Sequence, residues 1–445
     1  MLAILLPMVC SFAVFAQPSD AYEMTVSGVK VIVQPSHNEI VEIQTVIKGG
    51  VQNYPANKEG IESLAMSALT ECGTKNDNKD AFKNKLDKVS GSVYASTGMD
   101  FAKITMNCIK SDFETVWPLY VDAITVPLFD EKEFTRIKQD AINNLKAQES
   151  QPDYAISKLA KETAFAGKDY AKAPEGSEKT ITPITAVETK NYYHSVLEKS
   201  RMFIVVVGDL DKALLEKYIG NMLASIPQGK PFTLKKMAYQ PAKTSFVAQK
   251  KELATNYIQG VTSGPTPGSP DYNAFQLAMR IMYEKHFLEI RTKNGLSYAP
   301  ATWFDGGASS SSSFFVSTTD PNKYITVLKA FLAKIKKDGF TQDDVKDMKT
   351  TYLTSTYYKQ ETNSAQASSF ASNEVLHNNW KRSITLNDDF KKITVQDVNA
   401  AFNKYVNNMT WVYQGDPAKV TPSLYAPATL PNAPASKTVI KNSNN

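Results

Sequence analysis

The chain says nearly the same thing twice, and this repetition limits its fold more than any other feature. Residues 181–209 read ITPITAVETKNYYHSVLEKSRMFIVVVGD and residues 393–416 read ITVQDVNAAFNKYVNNMTWVYQGD. Each is a Thr-started helix, an aromatic pair or near-pair, a short polar turn, a β-rich run and Gly-Asp. Thr182 and Pro183 are read as N-cap and first helical residue, where each residue type is favoured. The two Gly-Asp pairs stand 207 positions apart (415 − 208). Upstream, PLFDEKEFTRIKQDAINNLKAQ (127–148) resembles DGFTQDDVKDMKTTYLTSTYYK (338–359), with Phe129 and Phe340 separated by 211 positions (340 − 129). The two offsets agree. They imply a duplicated unit of about 210 residues, near the upper range for one domain.

Within a unit, strands and helices are grouped rather than alternating. VKVIVQP (29–35), VEIQTVI (41–47) and FAKITMNCI (101–109) read as strands. Amphipathic helices are predicted over 60–71, 79–89, 112–125, 130–148 and 183–198. Grouping favours α+β over a doubly wound sheet. The expected fold is two related sandwich-type α/β domains facing each other like a clam. Their bounds are 22–225 and 244–424, with a linker at 226–243 and a mobile Pro/Ala/Asn-rich tail at 425–445. GGASSSSSFFVS (306–317) is read as a Ser-rich strand, because alternation resumes at Phe315.

Composition excludes more than it selects. Apolar residues make up 42% and charged residues 21%, as in an ordinary soluble globular protein. A net charge of +5 over 445 residues, with Lys-Lys pairs only in isolation, gives no footprint for nucleic acid. LAILLPMVCSFAVFA (2–16) is apolar but short for a bilayer span, and Val14 and Ala16 supply small residues at −3 and −1 of a cleavage site. Residues 1–16 are therefore read as a signal peptide, although no Lys or Arg precedes the apolar run. Cys10 lacks the small residues that usually precede a lipidated Cys. No later stretch is apolar enough for a membrane helix, so the chain is expected to be exported to the periplasm without stable membrane insertion. Cys72 and Cys108 remain, either as a pair or as two buried thiols.

GIESLAMSALTECGT (60–74) carries the chemistry question. Ile61, Leu64, Ala65, Ala68 and Leu69 form a buried helical stripe that stops before Gly73. The opposite face carries Ser63, Met66 and Ser67 at i, i+3 and i+4. That spacing suits two metal ligands and a base, but these three side chains are two hydroxyls and a thioether.

Residues 28–74, from GVKVIVQP to the Gly-Thr closing the helix, resemble the start of the pitrilysin/insulinase-type zinc peptidases in their short two-domain form. IVVVGDLD (204–211) is similar to the strand ending that family's first domain, and EIRTKNGLSYAP (289–300) to its Arg…Gly-Leu-x-Tyr element. The resemblance covers nearly all of 28–420. Active members carry H-x-x-E-H, in which two His hold zinc and Glu activates water. Counted from Gly60, those positions hold Ser63, Met66 and Ser67, and the third ligand falls near Asn144. Hydroxyls and amides are poor zinc ligands, and Met66 cannot accept a proton. His37, His194, His286 and His377 form no i, i+4 pair, and HFLEI (286–290) has Ile where a second His is needed. Ser63 and Ser67 have no recognisable base and no G-x-S-x-G context.

The resemblance then implies a non-catalytic subunit that binds no cofactor itself. Zinc is expected in a homologous H-x-x-E-H partner, with which it would enclose a peptide in a chamber. Arg291 and Tyr298 match the residues that such chains retain to contact substrate or the transition state. The alternatives are a catalytically silent peptide-binding or structural protein of the same fold, and a stand-alone hydrolase using other residues.

Overall fold

The computed structural model describes residues 20–427, apart from the side chains of 357–359. The expected signal peptide and nearly all of the expected tail lie outside these residues. The first half contains β1 (Tyr22–Val26), β2 (Val29–Gln34), β3 (Ile40–Lys48), α1 (Ile61–Glu71), α2 (Lys79–Asp87), β4 (Ser92–Thr97) and β5 (Phe101–Ile109). It continues through α3 (Phe113–Thr125), α4 (Glu131–Glu149), α5 (Pro152–Ala164), α6 (Glu178–Ile181), α7 (Ala186–Val196), β6 (Met202–Val207) and α8 (Lys212–Leu223). The second half begins with β7 (Ser245–Lys250), β8 (Asn256–Thr262), α9 (Tyr272–Phe287), β9 (Ala301–Asp305), β10 (Ser311–Thr318) and α10 (Pro321–Asp338). It ends with α11 (Gln342–Lys359), α12 (Asn363–His377), α13 (Arg382–Lys392), α14 (Val395–Tyr405), β11 (Thr410–Gly415) and α15 (Pro422–Tyr425).

The duplication is visible strand by strand. The first sheet runs β1-β2-β6-β3-β5-β4 and the second β7-β11-β8-β10-β9. Removing β1 makes the two orders equivalent. Each sheet has one parallel pair, β2 with β6 and β7 with β11, and the remaining pairs are antiparallel. The helices correspond as well: α4 with α11, α5 with α12, and α7 with α14.

The halves are joined by an exchange of helices. β3 is buried from Val41 to Ile47 and β6 along its whole length, so both of their faces are covered. On one of those faces lies α12, which belongs to the second half and packs on β3 and β6. Its stripe of Asn363, Ala367, Phe370, Ala371, Glu374 and Val375 repeats at helical spacing, and its small members allow close approach. The Asn363 amide donates to the Ile40 carbonyl at 2.7 Å, and Lys30 pairs with Glu374 at 2.8 Å. Reciprocally, α5 of the first half packs on β8 and β11, with Ala155, Ile156 and Ala160 inward. The Ser157 hydroxyl donates to the Gln259 side-chain oxygen at 3.2 Å.

Two local expectations differ from what is found. α7 begins after Thr185, not Thr182. Thr185 accepts from the Glu188 amide, and Glu188 accepts from the Thr185 amide, a reciprocal cap that satisfies two donors. Its counterpart Thr394 does the same with Asp397. Thr182 instead ends the short α6. The tail also starts later than Tyr425. That side chain is fully buried against Phe246 and Trp411, and its hydroxyl donates to the Pro321 carbonyl at 2.6 Å. Cys72 and Cys108 are buried free thiols.

Candidate functional site

α1 starts where two chain segments nearly touch. Gly60 has φ +88°, and a Cβ there would sit 2.9 Å from the Glu175 carbonyl oxygen and the Ile181 side chain. Only glycine fits that approach. The helix then buries Ile61, Leu64, Ala65, Ala68 and Leu69, the stripe read from the sequence. Ser63 and Ser67 are half-buried. Met66 departs from expectation: at 1% exposure it belongs to the core rather than to an open face. α1 packs against β4, α4 and α7 at once, which covers more of its circumference than a one-sided stripe would. Asn144 is exposed on α4, while Ile142 and Leu145 are the residues buried beside it.

These four side chains do not form a zinc site. They offer two hydroxyls, a thioether turned into the core and a solvent-facing amide, a donor set unsuited to Zn²⁺. Among the described residues no group of three or more His, Cys, Asp or Glu is arranged to hold a metal ion. His286 is a core residue. It is fully buried, with the Thr302 hydroxyl at 3.0 Å from Nδ1 and the Tyr324 hydroxyl at 3.3 Å from Nε2. Burial pulls its pKa down to about 3, so it is neutral at any physiological pH.

One feature of this helix was not foreseen. Glu62, in the first turn of α1, is completely buried. It accepts from the Tyr192 hydroxyl at 2.8 Å and the Asn53 amide at 3.1 Å, and Arg201 donates to the Asn53 oxygen at 2.9 Å. Its second carboxylate oxygen has no partner. Burial raises its pKa, against the pull of the Tyr192 and Asn53 bonds and the Arg201 charge. An acidic residue in a first helical turn usually reads as a solvated partner of the helix dipole. The partners that bury this one come from positions 53, 192 and 201, so no local pattern announces them.

The second half presents a different arrangement. α9 continues into a π-helical turn, Leu288–Lys293, which carries Arg291. Gly295 at φ +59° reverses the chain, and the Leu296 amide donates to the Ile290 carbonyl at 2.9 Å. Ile290 and Leu296 are buried and anchor the loop. The loop brings Tyr298 back onto Arg291. The guanidinium carbon lies 4.0 Å from the Tyr298 ring centre and 5.0 Å from that of Phe287, and Nη1 donates to the Tyr298 carbonyl at 3.0 Å. Tyr298 is 79% exposed. The structure thus brings the two sequence-selected residues together as a stacked cation–phenol pair facing solvent.

Comparison with known proteins decides the family. Residues 30–177 match the model of insulinase (peptidase family M16), and residues 183–352 match the model of the peptidase M16 inactive domain. The chain belongs to the M16 peptidase family. The "Non-peptidase homolog YmxG" of Helicobacter pylori is 23% identical over 393 residues, covering 83% of this chain and 87% of that one. A solved peptidase M16 inactive domain from Pseudomonas fluorescens superposes with a TM-score of 0.81 at 20% identity, covering 91% of this chain and 99% of that one. The periplasmic protease PqqL from Escherichia coli superposes at 0.76 with 16% identity, and this chain spans 49% of it. This M16 chain has the family's fold without its zinc-binding motif, and the members it resembles include ones described as non-peptidase or inactive as well as ones described as proteases. No helix among the described residues is long and apolar enough to cross a membrane.

Proposed function

We propose that this chain is the substrate-positioning, non-catalytic half of a two-chain zinc endopeptidase. The observation carrying this reading is the Arg291–Tyr298 pair. Its phenol is exposed, and its guanidinium, held between two rings, keeps donors free for a substrate carbonyl or carboxylate. Peptide hydrolysis by a metal-bound hydroxide builds negative charge on the carbonyl oxygen, and a preorganised phenol or guanidinium aimed at that oxygen stabilises it. The hydrolytic ion and base would come from a homologous H-x-x-E-H chain. The outer edge of β4, which pairs with no further strand among the described residues, is suited to receive an extended peptide as an added strand. Placement of the pair in the periplasm rests on reading 2–16 as a signal peptide.

The test is co-expression with an H-x-x-E-H chain encoded nearby. The pair should co-purify with one zinc and cleave an unstructured peptide. Arg291→Ala or Tyr298→Phe should lower kcat about 100-fold with the pair still assembled, as expected for a lost transition-state donor. Full activity of both variants would instead favour a silent peptide-binding or structural chain, the reading that fits the non-peptidase name of the H. pylori relative.

A further inference from the structure

The second sheet is covered unevenly. α5 lies over β8 and β11, and beside it a cavity of about 450 Å³ opens along β8, β10 and β9. That volume is within the range of small-molecule sites. Lys161 of α5, Phe165 just beyond its end, Trp303 of β9, and Asp100 and Tyr170 of the first half are among its lining residues.

Most polar groups here are already engaged. Asp100 accepts from the Tyr170 hydroxyl at 2.5 Å and the Ala308 amide at 3.2 Å. The Asp305 carboxylate accepts from the Trp303 indole at 3.0 Å, and Gln259 bridges Ser157 and Ser313. The charged side chain of Lys161 is less well served. It is half-buried, and its ammonium rests 2.9 Å from the Met99 sulfur, a weak acceptor. Among the described residues no carboxylate forms an ion pair with it. Glu175, Asp305, Glu59 and Asp100 act on it only through space, and burial outweighs them, lowering its pKa. A partly desolvated cation with unused donors is costly, and an anion supplied from outside relieves that cost.

The surroundings restrict the anion. A doubly charged phosphate would be repelled by Asp100 and Asp305 about twice as strongly as a singly charged carboxylate, and would find neither an arginine nor a helix N-terminus in the lining. A single carboxylate on an apolar body matches one ammonium flanked by Phe165 and Trp303. We propose that this cavity binds a carboxylate-bearing ligand with an aromatic or apolar body, its carboxylate on Lys161 Nζ and its body against Trp303 and Phe165. The ligand is either the C-terminus of a short peptide or a free organic acid. The site lies within one chain, so it does not depend on the two-chain reading above.

Calorimetric titration of the purified chain tests this with three probes: N-acetyl-Ala-Phe as the free acid, the same peptide as its C-terminal amide, and 3-phenylpropionate. Saturable binding of an acid is expected, with the amide at least about tenfold weaker, the cost of a lost charged hydrogen bond. Lys161→Met should weaken the acid to the level of the amide. Tighter binding of the peptide acid identifies a peptide C-terminus, and tighter binding of phenylpropionate a free acid. Equal affinity for acid and amide, unchanged binding by Lys161→Met, or no saturable binding at millimolar probe would overturn the proposal. The acid–amide comparison uses only the wild-type chain and holds even if the variant folds poorly.

Discussion

The helix α1 of the first half and the turn carrying Arg291 in the second half are the two places that the family resemblance singles out, and they have opposite physical character. α1 is wrapped on several sides, with Met66 in the core and Glu62 sealed beneath Tyr192. The Arg291 turn is anchored by Ile290 and Leu296 but holds its two polar side chains outward, with Tyr298 mostly in solvent. Packing explains the large apolar side chains of α1, Ile61, Leu64, Met66 and Leu69. It does not explain Tyr298, which could be removed without opening a cavity. A residue that the fold does not need is the better candidate for a role outside the fold.

This contrast can be broken by substitution. The largest effect is expected at Leu69, which is fully buried on α1. Leu69→Ala should cost about 2–5 kcal/mol in urea unfolding, the range for a core leucine that leaves a cavity. A much smaller loss would mean that α1 is looser than its burial indicates. A middle effect of opposite sign is expected at Glu62. Its pKa is raised in the folded state, so the native protein holds a proton that the unfolded chain releases first. Stability should therefore fall as pH rises from the ordinary carboxylate range through the raised value, and the loss is complete above it. Glu62→Gln keeps an acceptor for Tyr192 and Asn53 and removes the charge. It should raise stability by on the order of 1 kcal/mol at pH 8 and by less at pH 4, as read from melting curves. The smallest effect is expected at Tyr298→Phe, within about 0.5 kcal/mol of wild type. A larger loss would show that Tyr298 belongs to the packing after all, and the contrast would fail.

Much of this was legible in the chain itself, for reasons that are local. β3, β5 and the helices around 61–71 and 131–149 follow from periodicity. The duplication implies two related domains, and the two sheets have equivalent strand orders once β1 is set aside. Arg291 and Tyr298 are singled out by the resemblance of 289–300 to the family's Arg…Gly-Leu-x-Tyr element, and the seven positions between them, with Gly295, are short enough for one loop to join them. What stayed hidden depends on distant partners. Met66 is buried on a helix that packs against β4, α4 and α7 at once. The burial of Glu62 is set by Asn53, Tyr192 and Arg201. Thr182-Pro183 and Thr185 with Glu188 are both start signals for α7, and the helix begins at the second, which satisfies more backbone donors. The cavity beside Lys161 arises where α5 crosses to the opposite sheet, and nothing within α5 specifies that crossing.

The crossing of α5 and α12 also bears on how such a chain could arise. A forebear half this length would have possessed one bare β-surface and one helix with nowhere to dock. Two identical copies related by a twofold axis cure both defects at once, each lending its helix to its twin. Fusing the genes of that homodimer yields the present topology without inventing a single new contact, and it frees the two copies to diverge, one toward a silent interior and the other toward an exposed polar pair.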